Sequence, residues 1–172
     1  MGALRMNLAQ WKWYHARLKG RCHDAGLRGA RAAGLRVVAL MVKRTREAEP
    51  ASDHGAVGAV NTGALARSWR SVPNADGTRI VNLQPYWAVV EYGRRPNSTP
   101  PPRAPIEAWL RRRLKLKPAA ARSAAYVVAR AIGRRGLRGR RILTHPAVTA
   151  QIEAILHDEI RRALRQAIAK PP

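Results

Sequence analysis

Apolar residues recur at three- and four-residue steps near both ends of the chain, and the middle carries short runs broken by glycine and proline. From Leu4 to about Glu47, Leu27, Ala30, Gly34, Val38, Met41 and Thr45 fall on one helical face with basic residues between them. Gly20, Gly26, Gly29 and Gly34 weaken that helix, since each interior glycine costs about 1 kcal/mol relative to alanine. The pattern leaves open whether residues 1–26 form a separate helix or order only against a partner. Pro50 closes the region, and the small, aperiodic run at 51–60 reads as a flexible connector.

Asn61 and Thr62 suit the cap of a short helix, Gly63 to Ser68, with Leu65 and Trp69 four apart on its apolar side. Trp69–Val72 and Thr78–Leu83 flank the turn cluster Pro73 to Gly77, which predicts an antiparallel hairpin. Tyr86 to Tyr92 is short enough to be helix or strand, and Gly93 ends it in either case. Residues 94–105 hold five of the twelve prolines, so an extended, projecting loop is expected there. Pro105 fits the first turn of a helix Ile106–Leu116 with Ile106, Trp109 and Leu110 on its apolar side. A further helix, Ala119–Arg134, is expected to bury Ala124, Val127, Val128, Ala131 and Ile132 before the break at Gly133 to Gly139. After Pro146 the clearest amphipathic pattern runs to about Ala169 through Ile152, Ile155, Leu156, Glu159, Ile160, Ala163, Leu164 and Ile168.

These elements predict one domain with an α+β fold. Residues 1–48 form a helical N-terminal region, 49–60 a flexible loop, 61–117 a sheet-containing core with the proline-rich loop 94–105, and 118–172 the C-terminal helices. No internal repeat is present.

Charge changes the picture most. Thirty-three Lys and Arg against ten acids leave a formal charge of +23, which favours a polyanion nearby. From Ala108 to Ile152 there is no acid, while Arg111, Arg112, Arg113, Lys115, Lys117, Arg122, Arg130, Arg134, Arg135, Arg138, Arg140 and Arg141 fall in that window. The competing reading is a solvated, arginine-biased surface. The single cysteine, Cys22, excludes an internal disulfide and points to a reducing compartment. No signal-peptide core is visible at the N-terminus. The longest apolar run, Val37 to Val42, is far short of the ~20 residues of a membrane span, so neither secretion nor membrane insertion is expected.

Catalytic chemistry finds no foothold. His15, Cys22 and His23 match no zinc spacing, and His54, His145 and His157 lie far apart, so neither a metal nor a cofactor is expected. Glu91 and Glu107 imply no shared cleft; Glu91 is expected to meet a neighbouring arginine, and Glu107 to favour a helix N-terminus. Ser68, Ser71, Ser98 and Ser123 lack a nucleophile-elbow context, and no phosphate-cradling glycine loop occurs. Trp11, Trp13 and Tyr14, set among Lys12, Arg17 and Lys19, suit packing on a neighbouring subunit, with base stacking as the alternative.

One ordered set of short elements goes further: Asn61-Thr62-Gly63-Ala64-Leu65-Ala66-Arg67-Ser68, the hairpin, Tyr86 to Gly93 with its Glu91-Tyr92-Gly93 end, and Ile132 to Gly136 after a helix. This series, over roughly residues 61–143, resembles the small neck and tail-completion proteins of tailed phages, which join head to tail. Arg94 and the long PNSTPPPRAP loop depart from that pattern, which more often has E-[FY]-G-T and a later P-F. The resemblance implies a long N-terminal helix and further helices on a small antiparallel sheet, with no catalysis. Thr62, Gly63, Leu65, Tyr86, Glu91, Tyr92 and Gly93 would be its structural motif residues.

It also implies a virion protein at the head–tail junction, made in the host cytoplasm and assembled as a homo-oligomeric ring, a hexamer or dodecamer. Its neighbours would be a head-completion or adaptor protein and a tail-terminator or tail-tube protein. Double-stranded DNA would pass through the ring without sequence readout, against Arg111, Arg112, Arg113, Arg134, Arg135, Arg138, Arg140 and Arg141. Trp11, Trp13, Tyr14, Arg94, Arg95, Pro100, Pro101 and Pro102 are then the candidate subunit contacts. A free, sequence-independent nucleic-acid-binding protein is the alternative.

Overall fold

The computed structural model describes residues 8–47 and 62–169; the expected helix start at Leu4, the Pro50 stop, the loop at 49–60 and the Asn61 cap lie outside them. In chain order the elements are α1 (Leu8–Arg46), α2 (Ala64–Arg67), β1 (Trp69–Asn74), β2 (Gly77–Asn82), α3 (Trp87–Tyr92), β3 (Gly93–Arg94), α4 (Arg103–Arg113), α5 (Pro118–Arg135), β4 (Leu137–Arg138) and α6 (Pro146–Ala169). The fold is mixed α+β, with a long N-terminal helix, two small antiparallel sheets and a C-terminal amphipathic helix. No described helix is long and apolar enough to cross a membrane. The described residues divide into two compact units interleaved along the chain: 8–43, 69–82 and 145–169 in the first, 44–47, 62–68 and 83–144 in the second.

In the first unit α1 is continuous across all four glycines rather than split near Gly26. Ala25, Ala33, Val37 and Met41, spaced four or eight apart, are its buried stripe. Two of the glycines are places of close approach. A Cβ on Gly29 would lie 2.7 Å from the Cα of Ile160 and 2.9 Å from the Glu159 carbonyl oxygen, so the backbone of α6 rests on α1 there. On Gly34 it would meet Ser71 Oγ at 2.5 Å and Thr78 Cγ2 at 2.6 Å, which seats the hairpin.

β1 and β2 pair in the register Trp69↔Asn82 to Asn74↔Gly77, leaving Ala75 and Asp76 as a two-residue turn tighter than the one expected. A hydroxyl pair, Ser71 Oγ and Thr78 Oγ1 at 2.6 Å, ties the strands. Pro73 is tolerated because both strands of a two-stranded sheet are edges. Glu159 sits in the apolar stripe of α6, 7% exposed, where Arg36 Nη1 at 2.7 Å and Arg162 Nη1 at 3.1 Å donate to Oε1. A carboxylate so buried needs such partners, since desolvating it alone costs several kcal/mol.

The second unit centres on the α4–α5 pair, where Leu110, Ala121 and Ala125 form a core with Ile106, Leu116 and Ala124 packed against it. The buried stripe of α5 is shifted from the expected one: Ala121, Ala125, Ala129 and Gly133 face inward, Ala124, Val128, Ala131 and Ile132 are half-buried beside them, and of the expected residues Val127 alone is exposed, at 63%. Small residues at four-residue steps let neighbouring chain approach closely, and that advantage outweighs burying the bulkier valine. α4 starts three residues earlier than predicted, with Pro105 in its first turn, and α5 runs on through Gly133 to Arg135. The ambiguous Tyr86–Tyr92 run is helical, with Trp87 half-buried and Tyr86 and Tyr92 exposed.

The glycines of α1 yield a direct test. Gly20→Ala and Gly26→Ala, with nothing within 4 Å of the added methyl, should each raise stability by up to ~1 kcal/mol through helix propensity. Gly29→Ala should lower it by ~1–3 kcal/mol by pushing α6 away, as read by urea denaturation followed by circular dichroism.

Candidate polyanion-binding surface

Every arginine singled out as a polyanion contact belongs to the second unit. Arg111, Arg112 and Arg113 form the last turn of α4 and are exposed. The four residues 114–117 then return the chain as α5, whose Pro118 occupies the first turn, as a residue without an N–H can. So short a link makes the helices antiparallel neighbours, and 18 residues of α5 span about 27 Å at 1.5 Å per residue. Arg134 and Arg135, exposed at the far end of α5, therefore lie a helix length from the Arg111–Arg113 turn. The structure does not gather the two clusters into one patch. Between them α5 carries exposed Arg122 and Arg130, so the charge forms a line along the pair.

The rest of the cluster follows α5. Gly136 ends the helix with φ 75°, and Leu137–Arg138 pair antiparallel with Gly93–Arg94 in the two-rung ladder β3–β4. Gly93 makes the ladder possible: its φ of 80° lies in the left-handed region, and a side chain there would strike the Leu137 carbonyl oxygen. Beyond the ladder Arg140 N donates to Val90 O at 2.7 Å and Arg141 N to Glu91 O at 3.0 Å, with Arg141 at φ 49°. Arg138 and Arg141 are exposed and Arg140 is half-buried.

Glu91 anchors this run from beneath. Its side chain is 1% exposed, and its partners are not the arginine the sequence suggested. Leu143 N donates at 3.1 Å to each carboxylate oxygen, and Thr144 donates to Oε1 through N and through Oγ1, both at 2.8 Å. Peptide N–H groups need no desolvated cation beside the carboxylate, and the fold delivers them here by antiparallel passage of residues 137–144 along 90–94. The EYG element thus works as a clamp: Glu91 holds the end of the arginine run, and Gly93 holds its start.

The proline-rich loop is folded back rather than projecting. Asn97 N donates to Arg134 O at 3.1 Å and Ser98 N to Gly133 O at 2.9 Å, so loop donors satisfy the terminal carbonyls of α5. Arg94 is half-buried and its Nη2 donates to Thr99 O at 2.6 Å. Gly133 leaves room for the loop, since a Cβ there would meet Ser98 O at 2.9 Å and Pro100 Cγ at 3.0 Å. Orphaned helix carbonyls outweigh the stiffness of the prolines. Arg95, Pro100 and Pro102 remain exposed and Pro101 is half-buried, so an outer edge of the loop is still open to contact.

The other sequence candidates are placed as follows. Trp11 and Trp13 are exposed on the first turns of α1 and Tyr14 is half-buried; the Trp11 and His15 rings meet at a tilt of 38° with centroids 4.4 Å apart, and the Arg17 guanidinium lies 4.9 Å from the Trp13 ring. Gly63, at φ 75°, caps α2; Leu65 is buried, and Thr62 is exposed with its Oγ1 3.4 Å from Ala64 N. Among the described residues no three His, Cys, Asp or Glu side chains converge as metal ligands.

Sequence reasoning missed the donors to Glu91, the pairing of Glu159 with Arg36, and a cleft beside Tyr126. Only the last left a trace, in Arg122, Tyr126, Arg130 and Arg134 at successive four-residue steps. No protein-family model, curated protein or solved structure matches the chain.

Replacing Glu91 by alanine removes the shared acceptor of the half-buried Leu143 N–H and of the Thr144 N–H and hydroxyl, and should destabilise the fold by ~1–3 kcal/mol. Hydrogen exchange should show lost amide protection at both residues and through 137–141, while α1 keeps its own. Unchanged protection at Leu143 and Thr144 would contradict the clamp.

Proposed function

We propose that this chain is a structural protein of the phage head–tail junction, a neck or tail-completion component that assembles as a ring around the DNA channel. The observation that carries the reading is the clamp: Glu91 and Gly93 fasten the segment that follows Ile132–Gly136. Two elements of the resemblance, some forty residues apart in the sequence, are thus parts of one structural device. The role of the device is to display arginines on a fixed backbone. Such a surface lowers the electrostatic cost of holding packaged DNA without reading its sequence.

In this reading the ring is a hexamer or dodecamer, set between a head-completion or adaptor protein and a tail-terminator or tail-tube protein, and it carries out no catalysis. Trp11, Trp13 and the outer edge of the proline loop serve the contacts with neighbouring subunits. The protein resides in the virion after assembly in the host cytoplasm.

The exposed arginine line along α5 also favours a second reading, a basic protein that binds free nucleic acid as a monomer. Electron micrographs of the purified protein, paired with a duplex titration, separate the two. Rings with weak, salt-sensitive duplex binding are the expected outcome, and deleting the gene should yield unjoined heads and tails. A monomer at all concentrations that binds duplex tightly would install the second reading instead.

A further inference from the structure

Where the proline loop crosses α5, a cleft of about 400 Å³ opens between Pro100–Pro102 on one side and Tyr126, Ala129 and Arg130 on the other, with Arg103 at its edge. Its polar groups converge on one ring. The Arg103 guanidinium lies 5.1 Å from the Tyr126 ring centroid, and Arg130 Nη1 lies 3.5 Å from the Tyr126 hydroxyl. Arg103, Tyr126 and Arg130 are all exposed. Glu107, four residues on from Arg103, is the one acid in α4 and does not line the cleft, and α5 has none.

Fixed backbone surrounds the cleft. The loop is bonded to α5 at Gly133 and Arg134, and Ala129 is buried, so the wall and floor are set before any ligand arrives. Two guanidiniums and a phenol presented together at a small, apolar-walled opening suit a tetrahedral, doubly oxygenated anion. Stacking on Tyr126 holds the Arg103 guanidinium over the ring, which reduces the side-chain entropy lost on binding.

We infer that the Arg103–Tyr126–Arg130 cleft is a seat for the phosphodiester backbone of nucleic acid. It is the specific contact within a line of charge that otherwise acts diffusely. The inference rests on the DNA-channel reading and deepens it, because it names which arginines bind phosphate. Arg122 and Arg134, four residues to either side of Tyr126 and Arg130, lie about 6 Å further along α5 in each direction and extend the track.

The test uses the full chain and a 30-base-pair duplex, with affinity measured by fluorescence anisotropy across a salt series. R103A/R130A should lower affinity at least tenfold and reduce the slope of log K against log salt by about 0.9, the release expected for the one phosphate seated in the cleft. R103K/R130K should restore most of the slope but not the full affinity, because lysine keeps charge without the paired donors. Y126E, which sets a carboxylate between the arginines, should match the double alanine variant, and R161A/R165A on α6 should change the slope by less than half as much. Wild-type binding with an R103A/R130A slope equal to its own would overturn the cleft and leave the ring reading standing. No wild-type duplex binding would overturn both the cleft and the DNA contact, with ring formation judged separately by microscopy. A photo-cross-linking residue at exposed Val127 should join to DNA; exclusive joining to a protein partner would show an acidic peptide site and overturn the inference.

Discussion

A buried carboxylate in a chain of charge +23 is the point on which the second unit turns. Glu91 has lost its water and must find donors, and it takes them from the peptide groups of Leu143 and Thr144 and the Thr144 hydroxyl. Satisfying it draws residues 137–144 alongside the end of α3, where the β3–β4 ladder and the donors of Arg140 and Arg141 complete the passage. Charge repulsion among the arginines works against so close an arrangement. The clamp offsets it with backbone hydrogen bonds, which are indifferent to the side chains they carry.

Side-chain size governs the rest. In α5 the inward positions are three alanines and a glycine, so α4 and the proline loop can lie close to the helix, and larger residues face outward. Tyr126 and Val127 are exposed for that reason. The same logic acts in the first unit, where Gly29 receives the backbone of α6 and Gly34 receives the hairpin. In α5 that close approach seats the helix against α4 and the proline loop, and the exposed arginines of the second unit are carried on this pair.

Much of this was legible in the sequence, and what was not had a physical cause. The hairpin, the terminal helix and the long first helix follow from period and turn chemistry, because local preference and tertiary packing agree there. The centre of the α5 stripe was misplaced, with Val127 exposed and its other expected residues half-buried at the margin, because hydrophobicity ranks valine above alanine, whereas packing distance ranked them the other way. Glu91 was expected to meet an arginine because sequence displays charges and hides peptide N–H groups, which only the fold can aim. The loop was read as projecting because prolines forbid a ladder; yet Asn97 and Ser98, between the prolines, keep their donors and use them on α5. Glu159 stood among the positions of the last helix's amphipathic pattern with no partner in view, since Arg36 lies on another helix, far away in the chain.

Fastening the 137–144 segment through main-chain atoms has an evolutionary consequence. The main-chain bonds at Arg138 and Arg140 need only a peptide group that any residue but proline supplies, so the path of the chain there does not depend on the identity of these side chains, whereas the φ of 49° at Arg141 narrows that position to residues that tolerate the left-handed region. In the proposed ring, the grip on a passing polyanion, or the ionic strength at which it is released, could therefore be adjusted at single arginines without redesigning the scaffold.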